Sequence, residues 1–328
     1  MKYYCLLSCW LLCYACQSPD SPFPPVQDSS AFPTTSMVAT LEEKVHWEHN
    51  ILYCPTLLYA WQSIKDTLPQ PLTVDAKQGA LKRLHQSKGH LGALEAGEYE
   101  QTLVIEDNRI KATVAFKVNL QLETPLEVNP ITLEFDQQVV DCFGGYGGDS
   151  AIYQQIRVLF YESEAEFALA ITPKDQNQEL IFYKTNKQKG KSLGALYQAL
   201  TLKIAKKEQN RHPKEDAWME DDLVAIPNLA FNIQHNYSDL VDAPFIARKQ
   251  LYTITQAQQR IALALDETGA LVESEAIMEA VAEAIEEPIQ ARAPLRMVFE
   301  DDFLLVAKKE AVAPPYLLVW VSNPAFMN

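Results

Sequence analysis

The sequence predicts an α+β fold, and three observations carry that reading. Apolar residues recur at helical spacing between Met37 and Ala96, they alternate with polar ones at period two from Gln101 onward, and no segment repeats another. At 328 residues, 48% hydrophobic and 10% aromatic, the chain can bury one large core or two smaller ones.

The first sixteen residues, MKYYCLLSCWLLCYAC, carry one early charge at Lys2, an apolar run too short to span a bilayer, and small Ala15 directly before Cys16. This is the pattern of an export signal. Either Cys16 becomes a lipidated mature N-terminus or the stretch is an ordinary apolar helix. The lipidated reading places the protein at a bacterial cell envelope, and Gln17 in the position after the cysteine points to the outer membrane, reached through acyl chains without a transmembrane helix. Residues 17–36 hold five prolines and no apolar periodicity, so an extended tether is expected there and the domain proper over 37–328.

Helices are expected in MVATLEEKVHW (37–47), in CPTLLYAWQSIKDTL (54–68) with Pro55 in the first turn, and in TVDAKQGALKRLHQ (73–86) with Thr73 as cap. Strands are expected in QTLVIE (101–106), IKATVAFKVNLQLE (110–123) and ITLEF (131–135). FGGYGG (143–148) reads as a flexible turn. Two more strands follow, IYQQIRVLFYES (152–163) and AEFALAITP (165–173), then a helix from Ser192 to Lys207 capped by Ser192. DDLVAIPNLAFNIQ (221–234) is strand again, and a short helix leads into RIALALDE (260–267).

The net charge of −15 repels nucleic acid and anionic membrane faces and favours basic partners. His46 and His49 flank Glu48 at i, i+3 but lack the HExxH spacing and a clear third ligand, so no metal is expected. The glycines at 143–148 precede no Gly-Lys-Ser/Thr, and no Gly-x-Ser-x-Gly elbow accompanies the other histidines. No cofactor and no enzymatic activity are expected. Cys5, Cys9 and Cys13 leave with the signal, and Cys54 and Cys142 either pair or remain buried thiols.

Read in order, several segments resemble the serpin family. HNILYCPTLLYAW (49–61) is similar to the family's helix opening ENIFFSP, with Cys54 for serine and Pro55 retained. VAFKVNLQLETPL (114–126) stands where the family has NAIYFKGKW, IRVLFYESEAEFALAITPKD (156–175) resembles its paired strands ending in LPK, and IPNLAFNIQHNYSDL (226–240) its LPKFKLESSYDL. LALDETGALVESEA (263–276) corresponds to the loop hinge, and MVFEDDFLLVAKKEAVAPPYLLVWVSNP (297–324) to the closing strands. The region upstream of Val114 is shorter than the family's, and the loop is longer.

The resemblance implies N-terminal helices packed on a large β-sheet, a second C-terminal sheet, and an exposed reactive loop over about 267–297. It implies inhibition of a serine or cysteine protease by loop cleavage and strand insertion, in a monomer. Its hinge residues would be Glu267, Gly269, Ala270, Val272, Ser274 and Ala276. Every second residue from Ala270 to Ala284 is small or apolar, whereas the intervening set carries Glu273, Glu275, Glu279 and Glu283, which is the pattern an inserted strand with one buried face requires. The same stretch also has high helix propensity. Between Gly269 and Phe299 only Arg292 and Arg296 are basic, and Arg296 lies close to the following strand. The expected scissile bond is Arg292–Ala293, presented to a trypsin-like or other Arg-preferring protease. The alternatives are a non-inhibitory serpin-fold envelope lipoprotein with a binding or structural role, and an α+β envelope protein whose similarity is coincidental.

Overall fold

The computed structural model describes residues 22–89, 91–106, 109–185, 190–209, 218–271, 293–309 and 314–327. Within the segment expected as a tether, Gln27–Asp28 (β1) and Thr35–Val38 (β2) join sheets, and Phe32 meets Phe326 edge-on at 6.2 Å. The packed body therefore takes in chain ahead of Met37. The prolines flank these strands, where they forbid helix without removing a ladder bond.

The helix expected over 37–47 does not form. β2 runs parallel to Asn50–Tyr53 (β3), and the Glu43 carboxylate accepts from the Thr40 backbone N–H at 2.9 Å, a side-chain bond that competes with helix. Thr56–Thr67 (α1) forms as expected, with Pro55 at its N-cap, where a missing N–H costs nothing. Thr73 sits in Leu72–Val74 (β4) instead of capping, and the next helix, Gly79–Gln86 (α2), starts later.

Tyr99–Glu106 (β5) and Arg109–Phe116 (β6) form an antiparallel hairpin, followed by Asn119–Gln121 (β7), Glu127–Val128 (β8), Leu133–Phe135 (β9), Gln138–Val140 (β10) and Cys142–Tyr146 (β11). The glycines expected as a flexible turn are thus largely strand. Gly144 lies so close to the neighbouring strand that a Cβ there would come within 2.0 Å of the Val224 carbonyl oxygen. Ser150–Gln155 (α3), capped by Asp149, replaces the first part of the strand expected from Ile152, which begins instead at Ile156–Ser163 (β12).

Glu166–Ile171 (β13), Gln178–Thr185 (β14) and Leu193–Gln209 (α4) follow, the Ser192 hydroxyl accepting from Ala195 N–H at 3.3 Å. Then come Leu223–Pro227 (β15), Leu229–Asn236 (β16), Pro244–Ala247 (β17) and Gln250–Thr253 (β18). The last two form a hairpin where a short helix was expected. Buried Phe245 and Tyr252 stack at 5.5 Å on one face, and Arg248 and Lys249 take the positive φ values that a tight hairpin turn needs. Gln258–Asp266 (β19), Gly269–Leu271 (β20), Arg296–Val298 (β21), Phe303–Lys309 (β22) and Leu317–Val321 (β23) complete the α+β chain.

A seven-stranded sheet, β12-β13-β14-β22-β23-β3-β2, forms the middle layer, with β13, β14 and β23 buried throughout. Alternate residues serve opposite faces. Leu169, Phe182, Leu305 and Val319 pack toward a five-stranded sheet, β1-β16-β19-β20-β7, while Ala168, Ile181, Leu304 and Leu318 pack toward α1, α2 and α4. A four-stranded sheet, β21-β15-β11-β8, flanks the first core, and a three-stranded sheet, β18-β17-β4, the second. Buried Asn50 ties the two ends of the chain together, donating to Asn323 and accepting from Ser322 and Asn323 N–H groups.

Candidate functional site

At one side of the five-stranded sheet, the three-residue β20 lies between the nine-residue β19 and the three-residue β7. β20 is antiparallel to both β19 and β7, with Ala270 between Leu265 and Leu120, all three buried. Asp266 closes the preceding turn by accepting from Thr268 N–H at 2.9 Å and from its hydroxyl at 2.6 Å. The carbonyls of Glu267 and Thr268 accept from Leu126 and Leu122 N–H groups at 2.9 and 2.8 Å. Gly269 has φ near 115°, and a Cβ there would lie 2.5 Å from Leu120 O, so only glycine enters the sheet here without strain.

Past the register of Leu271, the last described residue of β20, β19 continues toward Gln258. On the β20 side of β19, no strand among the described residues pairs with residues 258–263; β16 covers the opposite side. A cleft of about 1700 Å³ opens there, bounded by Gln258–Ala262 on one side and Ala112–Asn119 on the other. Leu57, Trp61 and Ile64 of α1 also line it. Side chains on the two rims alternate: Gln259 and Ile261 are buried with Arg260 exposed, and Val114 and Phe116 are half-buried with Ala115 and Lys117 exposed.

Gln259 is the polar joint of this region. Its amide donates to Cys54 O and to Thr56 Oγ1, both at 2.8 Å, and its carbonyl accepts from the Tyr237 hydroxyl at 2.7 Å. It thereby fixes β19 to the start of α1. It immediately precedes RIALALDE, in the same alternate set as Ile261, Leu263 and Leu265, and a glutamine there is the kind of signal that marks a buried network. Cys54 and Cys142 are buried free thiols, and burial pushes Cys54 up to about 11.

Of the residues singled out from sequence, Glu267 lies in the turn before β20, and Gly269 and Ala270 are seated in the sheet. Val272, Ser274, Ala276 and Arg292 lie outside the described residues, as does Cys16. Ala293 is exposed and leads into β21, whose first residue, Arg296, is ion-paired to Glu300 at 3.2 Å. His46 and His49 stand 5.8 Å apart, and His49 Nδ1 is hydrogen-bonded to the Ser36 hydroxyl at 3.1 Å. Among the described residues no three His, Cys, Asp or Glu side chains converge as metal ligands.

No protein-family profile and no curated protein matches the sequence. The solved structures it is similar to are serpins. One is a highly specific serpin of the insect Tenebrio molitor, 12% identical with a TM-score of 0.44, aligned over 83% of this chain and 91% of that one. Thyroxine-binding globulin, in its complex with thyroxine, is 13% identical with a TM-score of 0.41 over 76% of this chain and 65% of its own. Tengpin, a thermophilic serpin in its native state, is 11% identical with a TM-score of 0.40 over 67% and 57%. The chain thus spans less than two thirds of the latter two.

Proposed function

We propose that this protein is a serpin-like protease inhibitor whose loop is cleaved and then enters its own sheet. The observation that carries this reading is the cleft lined by Gln258–Ala262 of β19, next to β20, along an edge of β19 that no strand among the described residues pairs with. Backbone donors and acceptors on strand edges are satisfied by another strand, and residues 272–281 are the covalently adjacent segment. If an inserted strand kept the β19 register of β20, Val272 would fall opposite Leu263, Ser274 opposite Ile261 and Ala276 opposite Gln259.

Arg292–Ala293 is the proposed target of a trypsin-like or Arg-preferring protease. The protease nucleophile would form an acyl bond to the Arg292 carbonyl as the bond to the Ala293 nitrogen breaks. Insertion would then carry the acylated end away from Ala293, distorting the enzyme before water completes deacylation. Each new ladder bond contributes about 1 kcal/mol net, so inserting this segment contributes on the order of 10 kcal/mol. At about 2–4 °C per kcal/mol, Tm should rise by roughly 20–40 °C.

Trypsin treatment tests the proposal. The expected result is first cleavage after Arg292 by mass analysis, a Tm rise of that size, and a covalent complex stable in denaturing gels. A loop nicked with Tm unchanged and no complex would overturn inhibition in favour of a non-inhibitory binding or structural protein.

A further inference from the structure

We infer that the outer face of the three-stranded sheet β18-β17-β4 docks on an anionic lipid bilayer. This surface is independent of the loop and its insertion. Side chains alternate along the hairpin β17–β18, so it has two faces. Phe245, Ala247 and Tyr252 are buried in the second core, whereas Ile246 and Leu251, register partners across the hairpin, are 45% and 63% exposed. Ile246 is also the register partner of exposed Thr73 in β4, so the three residues form one row across the sheet. With Asp75 and Pro244 they line a groove of about 340 Å³.

The charge around this face is opposite to that of the chain. The hairpin ends in Arg248 and Lys249, both exposed, and residues 243–257 contain no acid. Residues 69–89, which include β4 and α2, hold Lys77, Lys82, Arg83 and Lys88 against Asp75 alone, and α2 joins the same core through Leu81 and Leu84. Six cations and one carboxylate give these two stretches a net charge of +5, which leaves −20 for the rest of a chain at −15. Asp75 and Asp242 lie at the end of the hairpin away from the basic tip: Asp75 follows Val74, the partner of Phe245, and Asp242 N–H donates to Ile254 O.

This combination selects among partners. A soluble polyanion engages the cations and leaves Ile246 and Leu251 in water, and a second copy joined through the same patch brings two positive faces together. A bilayer with anionic headgroups uses both features, taking the aliphatic side chains into its interface while Arg248 and Lys249 reach the phosphates. The net charge of the whole chain does not prevent contact, because at 0.1 M salt carboxylates more than about 10 Å from the bilayer are screened.

The test uses full-length protein bearing Cys16→Ser, so that no acyl chain contributes, sedimented with vesicles of phosphatidylcholine alone or with about 30% phosphatidylglycerol. The expected result is a preference for the anionic vesicles that 1 M NaCl abolishes. Arg248→Gln and Lys249→Gln should each lower that preference about five-fold. Ile246→Ser combined with Leu251→Ser should weaken partitioning to both compositions by roughly ten-fold while keeping the anionic preference. All four side chains are exposed, so each variant should melt with the parent protein. An anionic preference that neither glutamine variant changes would overturn the inference, since the cations then lie away from the lipid. Absence of vesicle binding would overturn it too, in favour of a soluble polyanion if inorganic polyphosphate binds and the glutamine variants weaken it, or of a second copy if the protein dimerises and the serine pair makes it monomeric.

Discussion

At the scale of single residues, Gly269, Gln259 and Cys54 carry most of what can be argued. Gly269 allows the chain to turn into the sheet, and Gln259 fixes one cleft wall to α1 through three hydrogen bonds. Cys54 lies beneath this joint, and its thiol is raised from 9.0 to about 11 by burial. The folded state thus keeps a proton that the unfolded chain has released between those values. The associated stability, roughly 3 kcal/mol, is complete below pH 9 and lost as pH rises through 11. Native protein at pH 8 should accordingly leave Cys54 unlabelled by a thiol reagent, with labelling appearing on denaturation. Labelling of the native protein at the rate of a free thiol would show that the site is open.

At the scale of elements, β20 decides the behaviour of the loop, because a strand already seated provides the register for the residues that follow. Val272 follows the last described residue of β20 and, in the proposed insertion, would continue its register opposite Leu263. Val272→Glu would bury an unpaired carboxylate among apolar side chains at a cost of several kcal/mol. Cleaved Val272→Glu protein should lose most of the Tm gain shown by the cleaved wild type, while the uncleaved proteins melt together. A full gain in the variant would mean that this residue does not enter the core. The hairpin β17–β18 teaches a related lesson. Its alternation of buried Phe245 and Ala247 with exposed Ile246 was present in the sequence, but Arg248 and Lys249 are not residues that announce a hairpin turn.

At the scale of the whole molecule, the N-terminal segment brings the body close to any anchor at Cys16. The Asn232 side-chain amide donates to Pro24 O at 2.8 Å, and β1 pairs with β16 just after it. A lipid on Cys16 would reach the packed body through residues 17–23 alone, at most about 25 Å of extended chain. We propose that the protein is held at the outer membrane in this way. Wild-type protein should partition into detergent on phase separation and Cys16→Ser protein into the aqueous phase; equal partitioning would remove the anchor.

The α+β class, α1 with Pro55 at its start, the helix capped by Ser192 and the strands at 101–106 and 165–173 were legible in the sequence, because each rests on local periodicity or a local cap. Tertiary structure alone decided that residues 35–38 are a strand, that FGGYGG runs against Val224, and that Lys111, Lys117 and Arg260 border one cleft. Those outcomes depend on pairing between segments far apart in the chain. Period and propensity describe which face a residue shows, but the partner across the sheet is chosen by which edges the packed layers leave open.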